Sequence, residues 1–122
     1  MAKIGHIAIF AKDQAQLADF YKQTFGMKEV FRHSSKEGGE AIYLSDGTIN
    51  LAILPARGEQ PEGIHHFGFQ VENRVETVRV AIDLGAKEGD ATLPRDGRFA
   101  ESFIHDPVGT RVDLSERGWQ TA

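Results

Sequence analysis

Two stretches of the chain, "GHIAIFAKD" at 5–13 and "HHFGFQVEN" at 65–73, superimpose without a gap. His6 falls on His66, Ala8 on Gly68 and Asp13 on Asn73. Such a repeat constrains the fold strongly, because each copy should form one supersecondary unit and the units should then complete one another. Each copy reads as a strand followed by a capped helix. Asp13 with Gln16, and Asn73 with Glu76, both have the capping-box spacing. Leu17, Phe20, Tyr21 and Thr24 give the first helix its apolar periodicity, and Val75, Val78 and Ile82 give the second its own. Gly26 and Gly85 stop the two helices in nearly the same register.

The segments after each helix repeat as well. Strands are expected at Lys28–Ser34, Glu40–Leu44 and Thr48–Leu54, punctuated by the turns "KEGGE" and "SDGT". In the second half they are expected at Ala86–Thr92, Glu101–His105 and Thr110–Ser115, with "DPVG" turning between the last two. The opening strands fit Lys3–Phe10 and Ile64–Val71. The pattern predicts an α+β fold of two paired βαβββ modules. With 122 residues there is room for one compact domain. Module one covers about 1–54, the Pro-rich stretch 55–63 connects, and module two covers about 64–116.

Composition narrows the chemistry. The chain has no cysteine, which removes disulfides, thiolate nucleophiles and thiolate metal sites. A net charge of −4 with scattered lysines and arginines argues against nucleic acid as a partner. No apolar stretch is long enough to cross a bilayer, so no membrane partner is expected. "MAKIGHIAIF" lacks the length and cleavage pattern of a signal peptide and reads as a first strand, which makes a cytoplasmic location the default expectation.

Strand parity separates the adjacent histidines His65 and His66. Successive side chains on a strand point to opposite faces. Ile7 and Ile9 suit packing beneath a helix, so His6 and Ala8 face the other way. Phe67, Phe69 and Val71 are the packing set of the second copy, and His65 shares their parity. His66, Gly68 and Gln70 lie opposite. In "GTRVDLSE", Val112 and Leu114 take the packing parity and Asp113 projects to the other face. A carboxylate buried there without a partner is costly. Two imidazoles and one carboxylate would hold a divalent cation and leave coordination positions open, the logic of a facial-triad site. His6, His66 and Asp113 are therefore the candidate metal ligands. Asn50 stands at the comparable place in "GTINLAIL", where it offers neither a good ligand nor a base. His65 reads as a packing neighbour and His33 as exposed beside a polar turn. His105, just before "DPVG", could reach the cleft, but nothing in the repeat supports it. The "DG" pairs at 46–47 and 96–97 are turn chemistry.

The stretches "GHIAIFAKD", "DFYKQTFGM", "IHHFGFQVEN" and "HDPVGTRVDL" resemble the vicinal oxygen chelate superfamily. This superfamily includes glyoxalase I, extradiol dioxygenases, methylmalonyl-CoA epimerase, fosfomycin-resistance thiol transferases and bleomycin-resistance proteins. The resemblance spans nearly the whole chain in order. It implies paired βαβββ modules whose mixed sheet curls around a metal-containing cleft, and a homodimer that sometimes builds its site across subunits. It places the metal ligands at His6, His66 and Asp113, with Asp where the family usually has Glu. A fourth ligand of glyoxalases corresponds to Asn50, and a functional tyrosine of the dioxygenases and fosfomycin enzymes corresponds to Phe103. Asn50, Phe103 and His105 are the candidate substrate-binding residues.

The implied cofactor is a divalent ion, iron(II), manganese, nickel or zinc, and the implied partner is a small oxygen-chelating substrate. The His-His-carboxylate set is most like that of an extradiol dioxygenase. A glyoxalase- or epimerase-type lyase or isomerase is the alternative, and it needs a general base that the sequence does not identify. A non-catalytic, bleomycin-resistance-like binding protein is the competing class, and a purely structural dimer the third.

Overall fold

The computed structural model describes residues 2–89 and 102–119. Its elements are β1 (Lys3–Ala11), α1 (Gln14–Phe25), β2 (Lys28–Ser34), β3 (Glu40–Ser45), β4 (Asn50–Pro55), β5 (Gly63–Gln70), α2 (Arg74–Asp83), β6 (Lys87–Glu88), β7 (Ser102–His105) and β8 (Arg111–Ser115). The chain is thus α+β, with the order βαβββ occurring twice, as the repeat predicts. The expected strand positions 90–92 and 101, and the turn at 96–97, lie outside the described residues.

Two compact units are present, one over His6–His65 and the other over His66–Trp119 with Gly5 and the residues before it. In the first, the strands run in the order β2-β3-β4-β1. β1 and β4 are parallel, with His6 opposite Asn50 and Ala8 opposite Ala52. The helix α1 begins where Asp13 accepts a 3.1 Å hydrogen bond from the Gln16 N–H, satisfying one of the N–H groups a helix start leaves open. It ends at Gly26, whose φ of 71° is the left-handed conformation that glycine adopts without a Cβ penalty. Ile9, Ala11, Ala18, Ile42, Leu44, Leu51 and Ile53 form the buried core, with Ile7, Leu17, Tyr21 and Met27 packed against it. Phe20, counted above in the apolar stripe, is instead more than half exposed, with its ring edge-on to Tyr21. Alternation leaves His6, Ala8, Asn50 and Ala52 on the face opposite this core, and all four are buried.

β4 starts at Asn50, two residues later than the sequence suggests. The Asp46 carboxylate accepts hydrogen bonds from the Thr48 and Ile49 N–H groups, both at 2.8 Å. That Asx turn takes these residues out of the ladder.

An ion cluster joins the end of α1 to β2. Glu29 accepts from Lys22 at 2.7 Å and from Arg32 at 2.8 Å. The hydrogen bond from Arg32, then that from Lys22, holds the Glu29 carboxyl down at about 2 against its usual 4.5, over a smaller opposing effect of burial. A folded value below the unfolded one gives stability that is present above pH 4.5 and is lost as pH falls towards 2. Urea midpoints measured across that window should fall less steeply for Glu29→Gln than for the parent chain. Equal slopes would show that the cluster does not contribute to acid stability.

In the second unit the order is β5-β8-β7-β6. β5 and β8 are parallel, with Phe67 opposite Val112 and Gly68 opposite Asp113. β7 runs antiparallel to β8, placing Phe103 opposite Asp113 and His105 opposite Arg111. Asn73 caps α2 by accepting from the Glu76 N–H at 3.0 Å, the counterpart of Asp13 in the first copy. The core is Val71, Ile104, Val112 and Leu114, joined by Phe67, Phe69, Val78, Ala81 and Ala86. The inward stripe of α2 differs from the expected one. Val75 is 70% exposed and Ile82 42% exposed, while Val78 and Ala81 face the core. At 3.6 residues per turn this is a rotation of about 60°. The small Ala81 packs against the core there beside Val78.

Candidate metal centre

The second unit supplies two of the three expected ligands, in contact with one another. His66 Nε2 lies 3.2 Å from Asp113 Oδ2, and each side chain is only 5% exposed. Both residues belong to the parallel pair β5–β8, where Gly68 faces Asp113 and has no side chain to fill the space beside it. The other Asp113 oxygen, Oδ1, accepts from Arg111 Nε at 2.8 Å. Burial pushes the Asp113 carboxyl up, but the hydrogen bond and charge of His66, and then those of Arg111, outweigh it. The net effect holds the group below its ordinary value, so it is a carboxylate at neutral pH.

A separation of 3.2 Å suits two chemistries. An Nε2–H can donate to the carboxylate, or both atoms can be lone-pair donors to one cation. Two ligands at right angles, each about 2.1 Å from a divalent ion, stand about 3.0 Å apart. The buried imidazole–carboxylate pair therefore fits adjacent corners of a coordination sphere.

The first unit supplies His6, which is 3% exposed and sits opposite the fully buried Asn50. Its surroundings on that face are small, Ala8 and Ala52, both buried. His65 reads from the sequence as a packing neighbour, but the structure leaves it at the surface. Its ring is edge-on to Phe10 at 4.7 Å. His33 is exposed on β2.

The strand registers correct one equivalence. His6 faces Asn50 and Ala8 faces Ala52, whereas Gly68 faces Asp113. Since Gly68 repeats Ala8, the counterpart of Asp113 is Ala52, and the counterpart of Asn50 is Arg111. The turns "GTIN" and "GTRV" alone would match Asp113 with Leu51, and the strand registers move its counterpart one residue further, to Ala52. Neither Asn50 nor Ala52 offers a carboxylate.

Phe103 and His105 are half-buried on β7, with rings 5.6 Å apart and edge-on. The Arg111 guanidinium carbon lies 4.2 Å over the Phe103 ring. Sequence reasoning passed over Arg111, although its signal was there. It stands two residues from Asp113 on one strand and so shares its face.

The model of the Glyoxalase/Bleomycin resistance protein/Dioxygenase superfamily matches residues 3–114. The chain belongs to that superfamily. Among solved structures it is similar to a hypothetical protein from Bacillus halodurans, with 21% identity, a TM-score of 0.78, and coverage of 99% of this chain and 98% of that one. It is also similar to a methylmalonyl-CoA epimerase from Mycobacterium tuberculosis, with 19% identity, a TM-score of 0.71, and 91% and 85% coverage. A third likeness is to the Streptomyces coelicolor methylmalonyl-CoA epimerase in complex with 2-nitronate-propionyl-CoA, with 24% identity, a TM-score of 0.64, and 93% and 96% coverage. At these identities the likeness is one of fold. No curated protein matches the sequence.

Proposed function

We propose that the chain is a divalent-metal-dependent enzyme, with His6, His66 and Asp113 as the ligands and a small oxygen-chelating molecule as substrate. The observation that supports this most is the buried His66–Asp113 pair at 3.2 Å. His6, buried on β1, is the third ligand that the repeat assigns. When bound, the ion acts as a Lewis acid on adjacent substrate oxygens. The residues supply the rest. Asn50 offers an amide to hydrogen-bond the substrate, Phe103, in register with Asp113, offers a ring surface, and His105, in register with Arg111, offers an imidazole.

Two imidazoles and one carboxylate leave positions for both substrate and O₂, which favours an extradiol-type dioxygenase. The absence of a carboxylate at positions 50 and 52 favours it too, since proton abstraction from carbon needs a base beside the reacting atom. The second reading is an epimerase or glyoxalase-type reaction, and the epimerases among the fold neighbours favour it.

The test begins with elemental analysis of protein purified without added metal, followed by loading with iron(II), manganese, nickel or zinc. Stoichiometric uptake supports the proposal. Failure of all four to bind sinks it and favours a metabolite-binding protein. Oxygen uptake with catechols, measured beside deuterium exchange into a 2-methyl thioester and turnover of a hemithioacetal, then divides the enzyme readings.

A further inference from the structure

The two oxygens of Asp113 are assigned to different neighbours. Oδ2 lies towards His66 at 3.2 Å, and Oδ1 accepts from Arg111 Nε at 2.8 Å. The arginine is itself held from below. Its guanidinium lies 4.2 Å over the ring of Phe103, and Phe103 is the β7 residue in register with Asp113. Arg111 and Asp113 share one face of β8, so a single strand carries both the carboxylate and the donor that orients it. A guanidinium stacked on an aromatic face keeps its plane, and with it the direction of its N–H groups.

From this arrangement we propose that Arg111, seated on Phe103, is the positioning residue that makes Asp113 a one-oxygen metal ligand. The inference rests on the metal reading above. By occupying Oδ1, Arg111 leaves Oδ2 alone to coordinate beside His66. A carboxylate without that tether can rotate and offer both oxygens, or neither, at the coordination distance. Phe103 carries the guanidinium of Arg111, and Arg111 in turn donates to Asp113. Groups that orient a ligand carboxylate are commonly worth 10–100-fold in metal affinity.

The test uses cobalt(II) as the probe, read by calorimetry and by its visible d–d absorption. Arg111→Met keeps the length of the side chain and removes its donors. The expected result is cobalt affinity lower by about 10–100-fold, with a changed d–d spectrum. Phe103→Leu keeps the arginine but removes its platform, and a smaller loss in the same direction is expected. Thermal melts of the metal-free variants show whether each is folded, and Phe103→Leu carries the test if Arg111→Met is not. Affinity and spectrum unchanged in the folded variants would overturn the proposal. So would tighter binding, which would mean that Arg111 acts only as a repelling charge. If the parent chain takes up no cobalt, the metal reading falls and this inference with it. Cobalt bound identically in parent and variants defeats this inference alone.

Discussion

His66→Ala is expected to abolish metal uptake, while His65→Ala leaves it nearly intact. The two residues are neighbours, so composition cannot distinguish them, but strand alternation does. Their environments do too. His66 is buried against Asp113 Oδ2, and His65 is exposed against Phe10. Removing His66 takes away one of the three proposed ligands. Since loss of a supporting partner alone costs 10–100-fold in affinity, loss of a ligand should cost more than about 100-fold. Calorimetric titration with cobalt or zinc measures the difference. Asp113 keeps its 2.8 Å bond from Arg111 when His66 is gone, so the carboxylate is not left without a partner. The variant should therefore remain folded, which a melt of the metal-free protein checks. Full loss in His65→Ala with retention in His66→Ala would refute the assignment by strand parity.

The second large effect is on stability. Ile53→Ala should destabilise the chain by about 2–5 kcal/mol, the range for emptying a buried aliphatic site that relaxes only in part. Ile53 is fully buried in β4, among Ile9, Ile42, Leu44 and Leu51. Single domains are stable by only about 5–15 kcal/mol, so such a change is large. Phe20→Ala is the matched control. Its ring is more than half exposed on α1, and a surface change of this kind should stay near about 0.5 kcal/mol. Urea unfolding of both variants measures the contrast. Equal losses would mean that the exposed ring contributes as much as the core.

The fold was legible in the sequence to an unusual degree because it is written twice. Matching caps at Asp13 and Asn73 and matching helix stops fixed the order of elements. Period-two alternation then sorted His66 from His65 and set Asp113 apart from Val112 and Leu114. What escaped was everything that depends on how a segment rests on its neighbours. The inward side of α2 could not be read from Val75, Val78 and Ile82, because the residue that packs with Val78 against the core is Ala81, which carries little hydrophobic signal. The delayed start of β4 came from one side chain, Asp46, competing with the ladder for two N–H groups. The counterpart of Asp113 is set by the strand registers, which make it Ala52 and not Asn50. Arg111 was hidden for another reason. An arginine on a strand usually reads as solvent-facing, and only the cross-strand pairing of Phe103 with Asp113 gives it a platform.

The parallel pairing of first and last strands within each module has a kinetic consequence. His6 lies opposite Asn50, a separation of 50 − 6 = 44 residues. Phe67 lies opposite Val112, a separation of 112 − 67 = 45. By contrast, β2–β3 and β7–β8 are local hairpins that close after a short turn. Loop-closure entropy must be met before a distant pair gains anything, so long-range parallel pairing is the slow part of such a topology. The hairpins and helices can form while the chain is still emerging. His66 and Asp113 come together only when β5 pairs with β8, so the buried pair belongs to this slow, long-range step.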